Sequence, residues 1–132
     1  MKAVLAVGLG GCLGALCRYG LSRLILHSRP NEFGGFPLGT FAANLLGCLL
    51  IGLLLGWTES KGSLAEPTRL FLFTGFLGGF TTFSSFGLET IQLLRAQQGG
   101  TAAIYVLGSI GLGIGLVWIG FLLTTMGNPG NE

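Results

Sequence analysis

The ten residues GGFTTFSSFG, Gly78 to Gly87, set the hydroxyls of Thr81, Thr82, Ser84 and Ser85 among three phenylalanines, inside a long apolar segment. On a helix, Phe83 and Phe86 are three apart, as are Thr82 and Ser85, so an aromatic pair lies beside a hydroxyl pair. Hydroxyls donate hydrogen bonds without carrying charge, and the edge of a phenylalanine ring is partly positive. Both suit a small anion that must lose its water without becoming trapped. Thr40, Asn44 and Gly47 share a second helical face by i, i+4, i+7 spacing, and Tyr105 and Ser109 share a third. Interhelical hydrogen bonding, worth about 0.6 kcal/mol per contact in membranes, accounts for an isolated Ser109. It does not account for the dense run at 81 to 85.

Adjacent glycines followed by hydroxyl residues interrupt a membrane helix and free backbone carbonyls, which then need water, protein or a cation. The spacing predicts a break at Gly78–Gly79, with carbonyls from two copies around one small cation. Arg18 lies well inside the first apolar segment, in GGCLGALCRYG. A charge there faces protein or water, or snorkels to the interface beside Tyr19, and both readings stand. Glu89 is the carboxylate nearest a span interior. The expected anion route has Arg18 at one end and no carboxylate along it.

No catalytic constellation is present, so the chain is not expected to be an enzyme. His27, the single histidine, sits at a helix end beside Ser28 and Arg29, where solvation suits it better than acid-base work. There is no H-E-x-x-H, no carboxylate pair and no nucleophile next to a histidine. The glycines of GLGGCLG lie inside an apolar segment and not between a strand and a helix, which removes a nucleotide loop. Cys12, Cys17 and Cys48 form no C-x-x-C pair and read as small packing residues. The apolar run before Cys12 is too short for a signal peptide, so the N-terminus is expected to be retained.

These residues need elements that hold them in lipid. The chain has 132 residues, 50% hydrophobic and 9% charged, against about 25% charged in a soluble domain. A net charge of +2 with no basic cluster removes nucleic acid as a partner. A bilayer span needs about 20 residues, and four segments qualify: 3–27, 38–57, 68–94 and 101–126. Connectors rich in Gly, Pro and charge separate them. The expected fold is all-α integral membrane, a single four-span unit over residues 1–132. Gly10 and Gly14, Gly52 and Gly56, Gly75 and Gly79, and Gly111 and Gly115 form one small-x-x-x-small pair per span, suited to close helix packing. Lys2, Lys61 and Arg69 fall on one side of the membrane and Arg23, Arg29 and Arg95 on the other. Orientation follows an excess of such charges on the cytoplasmic side. With no excess, the chain is expected to insert both ways and form an antiparallel, dual-topology homodimer, unless Arg18 or local context tips the balance.

GGCLGALCRYG (10–20), GTFAANLLG (39–47) and GFLGGFTTFSSF (75–86), in that order, resemble the Fluc (CrcB) fluoride channels over nearly the whole chain. The resemblance implies a dual-topology homodimer in the cell (inner) membrane, with two pores, that exports fluoride passively and relieves its toxicity. It also implies a structural sodium ion at the dimer interface, held by the backbone carbonyls of Gly78 and Thr81. It assigns Asn44 to the pore, Phe83 and Phe86 to a pair of pore phenylalanines, Thr82 and Ser85 to a hydroxyl track, and Tyr105 and Ser109 to its continuation in span 4. Arg18 corresponds to an arginine near an aqueous vestibule. Gly113 departs from the pattern, standing where many members carry a second hydroxyl. The nearest rival is a small multidrug exporter, also of four spans. Such a transporter carries a carboxylate in its first span, where this chain has Arg18. A non-transporting membrane subunit is the other alternative.

Overall fold

The computed structural model describes residues 1–28 and 35–126, without the side chains of residues 26–28. The His27 side chain, Arg29 and the C-terminal tail therefore lie outside the described residues. Six α-helices are described: α1 (Lys2–Ser28), α2 (Leu38–Lys61), α3 (Glu66–Arg69), α4 (Gly78–Phe80), α5 (Phe83–Arg95) and α6 (Gly99–Thr125). A π-helical segment, Leu70–Leu77, joins α3 to α4. Span 3 is thus assembled from α3, the π-helical turns, α4 and α5. Four helical stretches are long and apolar enough to cross a membrane: Lys2–Ile25, Leu38–Lys61, Glu66–Arg95 and Gly99–Thr125. The regular elements among the described residues are all helices, and the protein is a multi-pass membrane protein.

Helix α2 continues four residues past the expected limit of 57, through Thr58, Glu59, Ser60 and Lys61. It stops where Gly62 adopts φ 99°, a left-handed value that favours glycine. The Gly62 N–H donates to Thr58 O at 3.1 Å, which satisfies a carbonyl of the last turn.

Glycine sets how the spans pair. Spans 1 and 3 run parallel: a Cβ on Gly10 would strike the backbone of Phe71 and Phe76, one on Gly14 the backbone of Phe76 and Phe80, and one on Gly79 the backbone of Gly11. Spans 2 and 4 run parallel too, with Gly52 against Val117, Gly56 against Phe121 and Gly120 against Leu49 and Leu53. Contact this close is the usual basis of helix association in lipid, where apolar side chains gain little by leaving the solvent. Three of the expected glycine pairs therefore lie on packing seams. The fourth does not: Gly111 and Gly115 have no neighbour there, and span 4 uses Gly113 and Gly120 instead. Span 4 has glycine on more than one face, and its seam follows the face that meets α2.

Most large apolar side chains point outward, including Leu9, Leu16, Ile104 and Leu107, as lipid permits. The buried side chains are few: Ala43, Leu77, Phe80, Leu93, Ala102 and Tyr105, with Thr40 the polar member. Of these, Leu93, Ala102 and Tyr105 form one cluster, with Phe36, Phe41 and Phe86 packed against it.

Candidate functional site

Span 3 breaks at Thr81–Thr82 and not at Gly78–Gly79. Gly78 remains helical at φ −64°, ψ −35°, whereas Thr81 lies at φ −88°, ψ 156° and Thr82 at φ −150°, ψ 116°. The glycines lend themselves to packing, since Gly79 must pass close to Gly11. The break forms where another span offers replacement hydrogen bonds. Asn44 in α2 clamps Thr82: its Nδ2 donates to Thr82 O at 3.2 Å, and the Thr82 N–H donates to Asn44 Oδ1 at 2.8 Å. Threonine, being β-branched, tolerates the extended backbone that results.

The hydroxyl run restarts the helix. Thr82 is the N-cap of α5, its Oγ1 accepting from the Ser85 N–H at 3.2 Å, the role for which a hydroxyl side chain is favoured. The same oxygen lies 3.1 Å from Ser85 Oγ and 3.3 Å from Ser84 Oγ. Thr81 turns the other way, and its Oγ1 donates to Leu77 O at 2.9 Å. Three of the four hydroxyls therefore form one connected cluster at the break. Beside it an open cleft of about 360 Å³ is lined by Asn44, Gly47, Cys48, Thr81, Thr82 and Phe83, among others.

Phe83 is 85% exposed and projects from the break. Its ring centroid lies 5.7 Å from that of Phe86, so the expected pair is formed. Phe86 in turn lies 5.1 Å from the ring of Tyr105, which is fully buried against Phe36 and Phe41. The face shared by Thr40, Asn44 and Gly47 meets span 3 throughout, with Thr40 bonded to Glu89, Asn44 to Thr82 and Gly47 against the Thr81 side chain. Ser109 Oγ is buried with no hydrogen-bond partner. A Cβ on Gly113 would stand 3.3 Å from Cys48 Sγ, so a thiol occupies the space beside that glycine.

Glu89, the carboxylate expected nearest a span interior, is held by two of the polar residues singled out from the sequence. Thr40 Oγ1 donates to its Oε1 at 2.7 Å, and Tyr105 OH donates to its Oε2 at 2.7 Å. It ties spans 2, 3 and 4 together one helical turn beyond Phe86. The signal was present in the spacing, because Glu89 stands three residues after Phe86 and four after Ser85 and so shares their face. Arg18 reaches the last helical turn before the break: its Nε–H donates to Gly79 O at 3.3 Å. Among the described residues, no group of three His, Cys, Asp or Glu side chains converges on a metal site. A cation at the break would depend on main-chain oxygen. The donor chemistry fits, because a helix leaves its last four carbonyls without intrahelical partners, and the first half of span 3 ends at Phe80.

The model of the family described as CrcB-like protein, Camphor Resistance (CrcB), matches residues 5–121. The chain is 48% identical over 126 residues to a protein of Methylobacillus flagellatus named Fluoride-specific ion channel FluC, covering 96% of this chain and 97% of the relative. A protein of the same name from Nitratidesulfovibrio vulgaris is 44% identical over 120 residues, 91% of this chain and 94% of that one. Another from Thermus thermophilus is 46% identical over 123 residues, 93% of this chain and 95% of that one. With the match running from the first span into the last and the relatives aligned nearly end to end, the chain belongs to the CrcB family.

Proposed function

We propose that the protein is a fluoride-selective ion channel and not an enzyme, working as a dual-topology homodimer that lets fluoride leave the cytoplasm across the inner membrane. The observation that carries this reading is the break in span 3, where the Asn44 amide and the hydroxyls of Thr82, Ser84 and Ser85 meet beside the exposed ring of Phe83. The name shared by the relatives supports the choice of ion. Fluoride holds its water tightly, so each lost water needs a donor in its place. Thr82, Ser85 and Ser109 supply hydroxyls along the route, Tyr105 stands beside it with its O–H given to Glu89, and the edges of Phe83 and Phe86 complete the shell where no hydroxyl reaches. Ser109, buried without a partner, has a hydroxyl to offer. Gly78 and Thr81 carbonyls would hold a sodium ion as fixed structural charge. A negative-inside potential drives the anion out at about 2.3 kcal/mol per 100 mV, and no coupling machinery is required.

Purified protein in liposomes loaded with fluoride should release it when a potassium ionophore supplies the counter-current, as read by a fluoride electrode. Chloride release under the same conditions should stay at background. Equal chloride release, or proton-coupled export of a cationic dye in place of fluoride release, would refute the reading.

Dual topology rests on the balance of three Lys and Arg residues on either side. A single cysteine placed at exposed Ser63, in a background without Cys12, Cys17 and Cys48, should react with an impermeant reagent from both sides of the membrane. One-sided labelling would end the claim.

A further inference from the structure

Arg18 follows the glycine seam of span 1. Gly10, Gly14 and Arg18 are four apart and share one stripe of α1. The two glycines lie where span 3 passes as continuous helix, against the backbone of Phe71, Phe76 and Phe80. Arg18 comes one turn later, level with the end of that half-helix, and its half-buried side chain reaches across to Gly79 O, 61 positions away in sequence. The stripe thus changes from no side chain to a long one where the neighbouring helix stops.

The end of a helix is where a cation has most effect. Carbonyls 78 to 81 would normally accept from the N–H groups four residues on, but the Thr82 N–H goes to Asn44 and the Ser85 N–H to Thr82 Oγ1. The aligned peptide dipoles add partial negative charge at this point, and the apolar surroundings leave it poorly screened.

We infer that Arg18 is a positioning residue: its guanidinium caps the C-terminal end of the first half of span 3 and thereby sets where the helix stops. By occupying the Gly79 carbonyl it leaves those of Gly78 and Thr81 for the cation, a part of the inference that rests on the proposed function. The role differs from that of a charge in a vestibule, because Arg18 acts on the backbone of span 3 and not on the passing ion.

Hydrogen exchange and thermal unfolding of the purified full chain test it, the latter in sodium and in N-methylglucamine. Arg18→Met should speed exchange at residues 79 to 85 by about tenfold, the scale of a charged contact at a helix terminus, while the seam between α2 and α6 keeps its protection. The stabilisation by sodium should shrink with it, and Arg18→Lys should restore both in part. Arg18→Gln keeps N–H donors without charge, should fall between, and serves if Arg18→Met does not assemble. Parental exchange in the Met and Gln variants, or an increase spread evenly over all spans, would overturn the inference. A parental protein that sodium does not stabilise would remove the cation reading, while the exchange data would still decide the capping role.

Discussion

Phe83→Ile should assemble as the parent does and lose fluoride flux by at least about tenfold, equivalent to about 1.4 kcal/mol of added barrier. Folding tolerates the change because the ring is 85% exposed and supports little of the core. Flux does not, because an aliphatic side chain of similar bulk has no partly positive edge to take the place of a lost water. Phe86→Ile should lose flux as well, with a modest fall in stability. Its ring packs against Tyr105 at 5.1 Å, and an aromatic pair is worth about 0.5–1.5 kcal/mol beyond its buried area. Trp118→Ile is the control, an exposed ring away from the break, and should conduct normally. Efflux from liposomes together with the elution volume of the purified protein reads both properties. If Phe83→Ile and Phe86→Ile conduct like the parent, the rings are packing residues and the route through GGFTTFSSFG is wrong.

Asn44→Ala should have the second large effect, and it should reach stability and conduction together. The amide is the partner of both the N–H and the carbonyl of Thr82, at 2.8 and 3.2 Å. Its removal strands two backbone groups in a low-dielectric setting, at about 1–3 kcal/mol for each left unsatisfied. The break then loses the bonds that place it, and the capping hydroxyl of Thr82 moves with the backbone. We expect a lower thermal midpoint and fluoride flux reduced at least about tenfold. Asn44→Asp keeps the acceptor for the Thr82 N–H but turns a charged oxygen toward the Thr82 carbonyl and the passing anion, so it should conduct no better. An Asn44→Ala protein with the parental midpoint and parental flux would show that the clamp does not hold the break.

Composition and short-range spacing determined a good deal of this protein by themselves. Four apolar segments, the small charge content and the polar run at 81 to 85 were legible because hydropathy is a local property, summed residue by residue along about 20 positions. The pairing of Phe83 with Phe86, and the common face of Thr40, Asn44 and Gly47, followed from helical periodicity alone. The register of one span against another is not local, and there the sequence was insufficient. The break lies at Thr81–Thr82 because Asn44 of α2 supplies a donor and an acceptor at that height, while Gly79 is taken up by its close approach to Gly11. Gly113 and not Gly111 lies on the seam of span 4 for the same kind of reason: only the face that meets α2 can use the absence of a side chain. Glu89 joined the polar cluster once Thr40 and Tyr105, from two other spans, came within 2.7 Å of its oxygens. A hydrogen bond in lipid is decided by which partner stands within reach, and only the packing of the spans brings the partners there.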